Sequence, residues 1–370
     1  MKKFLCCFLI ICASFLTGCF NYNDIDKVIF ATACIIDVDS QDNPIIYVEA
    51  FKPQKTVTSS SNSDQRILFK GSRKTMFETI RDINLSSNYK LNYTQNMGII
   101  FTQKAAERSM KDFIDFFERD QEFVLRANIA ILKGCPDNFI NMKLKGQEYL
   151  GVFIHDLIKN IPSSSREVMT SLNDFLNEMH TKSKTSVIPM VQIKQDQPEN
   201  RIEIGDGAII TNYKMVDTLR RETALGYNFM LNNINGGSME VTNPDISSKY
   251  IGLEILKNTT KTKMYYDGKK LVVKKIINTK ASISEAQNKL NLNQASIKAI
   301  EANAERNIIY ACDDIFKQYK DKNLDIFHIT EDFQRRYPRE NSDNIFQKSQ
   351  LKMDVHVSIE GSSLKTNFGG

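Results

Sequence analysis

The chain has 370 residues, 41% of them apolar and 25% charged, with a formal charge of +5. That balance is the one found in ordinary soluble globular proteins, and it excludes both a chain disordered throughout and a bundle of membrane spans. So small a charge for this length also excludes a dedicated nucleic-acid surface, although it would not repel an anionic leaflet.

At the N-terminus, Lys2 and Lys3 precede a run from Phe4 to Phe15 that carries no charge and is mostly apolar. The run is too short to span a hydrocarbon core of about 30 Å, which takes roughly 20 helical residues, so residues 1–18 read as a signal peptide. Leu16-Thr17-Gly18-Cys19 follows and resembles the bacterial lipoprotein signal. In that signal the cysteine thiol receives a diacylglycerol, and cleavage leaves the cysteine as the first mature residue. Cys19 is therefore the expected lipid-attachment site. Two acyl chains meet the physical requirement for stable anchoring, since one chain binds membranes only reversibly. Loss of Lys2 and Lys3 with the leader lowers the charge from +5 to +3.

Residues 19–27 are a short polar tether. Val28 to Val38 reads as a buried strand, and Ile45 to Phe51, set off by Pro44, as its hairpin partner. Val57 to Gln65 is serine-rich and reads as a loop. Met76, Phe77, Ile80 and Ile83 form one helical stripe, and Met110, Phe113 and Phe117 another, on either side of a strand from Met97 to Phe101. Arg126 to Leu132 is strand-like, stopped by Gly134 and Pro136. Helical runs follow at Gln147 to Ile161 and Arg166 to His180, the second after a Ser163-Ser164-Ser165 start signal. Val187 to Ile193 reads as extended, with Pro189 suggesting an edge strand. The polar stretch Gln195 to Arg201 is the expected domain boundary, dividing the mature chain into an N-terminal α+β region, 28–196, of one or two subdomains, and a C-terminal α+β domain, 197–370.

Beyond the boundary, Ile202 to Thr211 reads as a bent strand or hairpin around Gly205-Asp206-Gly207. This Gly-x-Gly lacks the third glycine and the strand-to-helix context of a phosphate loop. Val216 to Leu231 has a helical pattern, ended by the breaker Asn232 to Gly237. Tyr250 to Leu256, Thr262 to Tyr266 and Lys269 to Ile277 are strand-like, and Asp267-Gly268 between the last two marks a hairpin. Six lysines between Lys261 and Lys275 alternate with apolar positions, as on a strand with one wet face; contact with anionic lipid headgroups or a partner is the alternative. The longest helix runs from about Gln294 to Tyr319, with Ile297, Ile300, Ala304, Ile308, Ala311, Ile315 and Tyr319 on one stripe. A helical run near Ile326 to Tyr337 and a last strand, Gln350 to Ile359, complete the chain. The expected fold class is α+β and multi-domain, with mixed or antiparallel sheets each packed by helices and the long helix of the C-terminal half lying on a sheet.

No catalytic, metal or cofactor-binding constellation emerges, so the chain reads as a non-enzyme without cofactors. His155, His180, His328 and His356 stand far apart, and no His-Glu-x-x-His or Gly-x-Ser-x-Gly is present. His155-Asp156 would serve a hydrolase triad only if a nucleophile met it in space. Asp313-Asp314 are helix neighbours, pointing about 100 degrees apart, and form no facing dyad. Outside the leader and Cys19, the cysteines Cys34, Cys135 and Cys312 lack disulfide or zinc spacing and read as buried small apolar residues.

A family resemblance runs through the residues in order. Cys19-Phe20-Asn21-Tyr22-Asn23-Asp24-Ile25 and the strand ending Ile35-Ile36-Asp37 resemble the start of the Ger(x)C spore germination lipoproteins, the C subunits of nutrient germinant receptors. Met97 to Phe101, Phe116 to Glu122, Leu172 to Leu176, Gly205 to Ile210, Glu222 to Gly226, Asp313 to Phe316 and Val355 to Val357 continue the likeness over nearly the whole mature chain. Family members commonly carry tryptophan after the lipidated cysteine and near the C-terminal end, where this chain has Phe20 and Phe346. The resemblance implies a lipoprotein on the outer side of the inner spore membrane, anchored by membrane lipid through acylated Cys19. Its implied partners are two integral membrane subunits, an A-type receptor channel subunit and a B-type transporter-like subunit; no nucleic acid is implied. The alternative is a solute-binding lipoprotein of a membrane transporter, which requires two similar lobes and a hinge.

Overall fold

The computed structural model describes residues 27–53, 66–120, 122–143, 149–160, 164–195, 199–362 and 367–368. Its first half is organised around β1 (Val28–Val38), buried at nearly every position as an interior strand covered on both faces must be. β1 pairs antiparallel with β2 (Pro44–Phe51), which pairs with β3 (Arg66–Ser72). Then follow α1 (Met76–Leu85), β4 (Lys90–Asn92), β5 (Gly98–Thr102), α2 (Gln103–Arg108), α3 (Lys111–Arg119), β6 (Asn128–Lys133), α4 (Pro136–Ile140), α5 (Leu150–Lys159), α6 (Leu172–Met179), β7 (Thr185–Gln195), β8 (Asn200–Thr211) and β9 (Lys214–Leu219). The strands form one sheet in the order β3-β2-β1-β5-β6-β7-β8-β9, with β4 beside the start of β1. Strands β1, β5, β6 and β7 are parallel, and the flanking pairs are antiparallel. Helices α1, α2, α3 and α6 cover one face, and α4 and α5 cover the other.

The second half comprises α7 (Ala224–Leu231), β10 (Ser238–Thr242), β11 (Tyr250–Tyr266), β12 (Leu271–Ala286), β13 (Leu290–Asn291), α8 (Gln294–Asp321), α9 (Ile329–Arg336), β14 (Ser349–Ser362) and β15 (Asn367–Phe368). Its main sheet runs β10-β11-β12-β14, and β13 pairs with β15. Asn293 caps α8 reciprocally with Ser296, which fixes where the long helix begins. Its buried stripe is Ile300, Ala304, Ile308, Cys312, Ile315 and Tyr319. The fold is α+β, as expected.

Several elements differ from the sequence reading, each for a tertiary reason. Phe77 leaves the α1 stripe, stands 53% exposed and lies under the Arg81 guanidinium, while the neighbouring Met76 takes the core position. Residues 166–170 are not helical. The carbonyls of Ser165 and Glu167 accept from Asn228 Nδ2 at 3.0 Å each, and that of Thr170 accepts from the Ile129 amide. Helix α6 begins only at Leu172, behind a capping box of Ser171 and Asp174. Residues 216–219 belong to strand β9, because Asn212 and Tyr213, with φ of 50° and 64°, close a two-residue turn that folds β9 back on β8. Pro189 lies on an interior strand, not an edge. Its missing donor is tolerated because pairing of β7 with β6 begins at Met190 and pairing with β8 is bulged there. Gly205 to Gly207 lie within that same β8 strand.

Cys34 and Cys312 are buried, but Cys135, in the turn leading into α4, is exposed. Lys275 is 2% exposed and faces the core, unlike the other lysines of its hairpin. The expected boundary at 196/197 falls inside the β7–β8 hairpin, and the first sheet continues through Leu219. Val57 to Gln65 and Cys19 lie outside the described residues.

Candidate functional site

Where the two halves meet, the second half substitutes for a covering helix. Val187 and Ile209, neighbours on β7 and β8, join Val168 and Leu219 in the core of the second sheet, whereas Ile188, Met190, Ala208 and Ile210 point to the opposite face. Around this apolar contact lies a polar rim. Ser165 Oγ donates to the Ser238 carbonyl at 2.9 Å, and Arg221 pairs with the buried Glu167 at 2.5 Å. Gly237, at φ +109°, packs so closely that a Cβ would lie 2.5 Å from the Ser165 nitrogen. Lys182 pairs with Asp343 at 2.6 Å, and Lys322 pairs with Asp217.

A second group of the junction brings acids and a histidine together. Glu178, on α6, lies 3.4 Å from His328 Nε2, and the Ser183 amide donates to Glu331 Oε1 at 3.0 Å. Burial raises the Glu178 carboxyl above its usual range, opposed by His328, while Asp174 and Glu331 raise it further. His328 has φ 56°, and Asp325 does the capping of α9 in its place, accepting from the Ile329 and Thr330 amides at 3.1 and 2.7 Å. Nothing in the spacing of Glu178 and His328 announced this pair.

The histidines singled out in the sequence do not converge. His155 Nδ1 is 2.9 Å from Asn128 Nδ2, and its pKa is lowered, chiefly by burial. His180 meets Glu118 at 3.5 Å and His356 meets Asp354 at 3.2 Å. Asp313 pairs with Lys317 one turn on, as a helix-surface acid does. Among the described residues no group of three or more His, Cys, Asp or Glu could hold a metal ion. No described helix is long and apolar enough to cross a membrane. A cleft of about 1090 Å³ opens at the carboxyl ends of β6 and β7 over Leu132, Phe153 and Ile202, with Lys133 and Arg201 at its rim.

Among the described residues the arrangement is thus two unlike units locked by a shared core, without an assembled reactive group. Residues 21–193 match the family described as "Spore germination protein N-terminal domain", and residues 205–363 match "Spore germination B3/ GerAC like, C-terminal". The chain belongs to this spore germination family. It is a germinant receptor C subunit by family, and the family is not one of known enzymes. The two matched regions part within the β7–β8 hairpin, close to the expected boundary, although the sheet itself crosses it. This GerAC-like chain shares its fold with the solved structure described as "Crystal Structure of the GerBC protein", at a TM-score of 0.59 and 15% identity, over 89% of this chain and 97% of that one. Comparison with curated proteins gives no match.

Proposed function

We propose that this family member is the lipid-anchored subunit of a spore nutrient germinant receptor, held on the outer face of the inner spore membrane through acylated Cys19. The observation that carries the reading is Leu16-Thr17-Gly18-Cys19, placed directly after a short apolar run and just ahead of β1. The anchor confines the folded body to two dimensions beside the A-type and B-type integral membrane subunits, so that weak contacts become stable assembly through effective concentration. The shared core supports a subunit that moves as one body when it favours one state of its partners. A solute binder would need two similar lobes with a hinge, and the nine-stranded and four-stranded sheets are unlike one another.

The test is Cys19→Ala, followed in spore membranes and in nutrient-triggered germination. The expected result is loss of the protein from the membrane fraction together with loss of the nutrient response. Normal germination with the protein absent from membranes would overturn the reading.

A further inference from the structure

The hairpin of β11 and β12, with β14 beside it, presents an outer face whose charge is unevenly distributed. Pairing sets Lys263 opposite Lys274, and Lys274 opposite Lys352, so three lysines form one row across three adjacent strands. Like charges directly opposite each other in a sheet are destabilising. Among the described residues only Lys274 of this row is neutralised, by Asp354 at 3.1 Å. Lys263 and Lys352 are exposed and have no ion pair among the described residues, and Lys261, Lys269 and Lys270 extend the basic area to the hairpin tip in the same condition. Between them lie apolar groups. Tyr265 is 56% exposed, and Val272 and Ile276 are half-buried on the same face. The opposite end of the sheet instead exposes Glu240, Glu254 and Glu285 together with Lys249 and Lys289, so its charges nearly balance.

We propose that the tip half of this outer face is a docking surface for the anionic headgroups of a lipid bilayer. A broad sheet face suits a planar partner, and several unneutralised lysines around an exposed tyrosine combine attraction to anionic lipid with an aromatic ring suited to the water–lipid interface. The charge repulsion within the lysine row is relieved when lipid phosphates face it. The surface acts independently of acylation at Cys19, so it stands or falls apart from the anchor. Its consequence is orientation: the second half of the subunit lies against the bilayer by its hairpin tip, with the mixed-charge end turned away.

The experiment uses the chain from residue 20 onward, which keeps every described element and cannot be acylated at Cys19. Its co-sedimentation is measured with vesicles of phosphatidylglycerol and with vesicles of phosphatidylcholine. Binding is expected only to the anionic vesicles and is expected to weaken as salt is raised. The double variant Lys263→Gln with Lys352→Gln should lose roughly 25-fold in partitioning, about fivefold for each lysine removed. Its thermal midpoint should be unchanged or higher, because the variant relieves repulsion. The charge-matched control, Lys249→Gln with Lys289→Gln at the other end of the sheet, should bind as the parent does. Equal binding to both vesicle types, equal losses in the two double variants, or capture by an acidic polypeptide without any vesicle binding would each overturn the proposal.

Discussion

Lys275 carries an ammonium group inside the second core. Its Nζ donates to the Met230 carbonyl at 2.7 Å and to Thr262 Oγ1 at 2.9 Å. Met230 lies in the last turn of α7, where carbonyls lack intrahelical partners and the helix dipole is negative, so the lysine serves as a cap supplied by a neighbouring strand. Burial pushes its pKa down to about 8 from the ordinary 10.5, against the opposing pull of Asp332 and Asp325. Between those two values the unfolded chain holds a proton that the folded chain has released, so this group's contribution to stability rises with pH. Relative to Lys275→Met, the parent should gain about 3 kcal/mol between pH 7 and pH 10.5. Urea unfolding of both proteins across that range checks the sign, and the difference cancels the buried tyrosines and cysteines common to both. A flat difference would mean that burial does not lower the pKa of this lysine. The signal was present in the alternation, because Lys275 is in phase with Val273 and Ile277, but a count of lysines conceals it.

At the scale of elements, Glu49 ties α5 to the sheet. It is fully buried on β2 and accepts from Thr32 Oγ1 and Arg66 Nε at 2.5 Å each, from the Leu150 amide at 2.9 Å and from the Gly151 amide at 3.1 Å. The last two are donors of the first helical turn, so a carboxylate from another element caps α5, where no side-chain cap of its own exists. Gly151 makes the approach possible, since a Cβ there would lie 1.9 Å from the Thr32 carbonyl oxygen. Glu49→Ala should cost about 3–5 kcal/mol, because it leaves Arg66 without its buried partner and two amides without an acceptor. Denaturant unfolding measures the loss, and a change below about 1 kcal/mol, the level of an exposed pair, would contradict the role. Local sequence could not supply this cap, which lies about a hundred residues away.

For the whole molecule, the shared core at Val168, Val187, Ile209 and Leu219 decides how the chain comes apart. Truncation after Gln195 would remove β8 and β9 and bare the face of β7 that the second half covers. Calorimetry of the chain from residue 20 should therefore show one cooperative transition, and the truncated fragment should show none. Two separate transitions, or a folded fragment, would mean that the halves are independent despite their contact. The division of the matched family regions in the β7–β8 hairpin follows sequence similarity, whereas cooperativity follows the buried surface.

Strands β1 and β2, the Asp267-Gly268 hairpin and the long helix α8 are legible from residue order alone, because alternation, helical period and turn residues are local patterns. The interior position of β7 despite Pro189, the extended run before α6, the strand β9, and the partners of Glu49, Glu178 and Lys275 were decided only by tertiary structure. Each depends on which distant backbone groups need a partner and which face another element covers, and those quantities are set when the chain closes on itself.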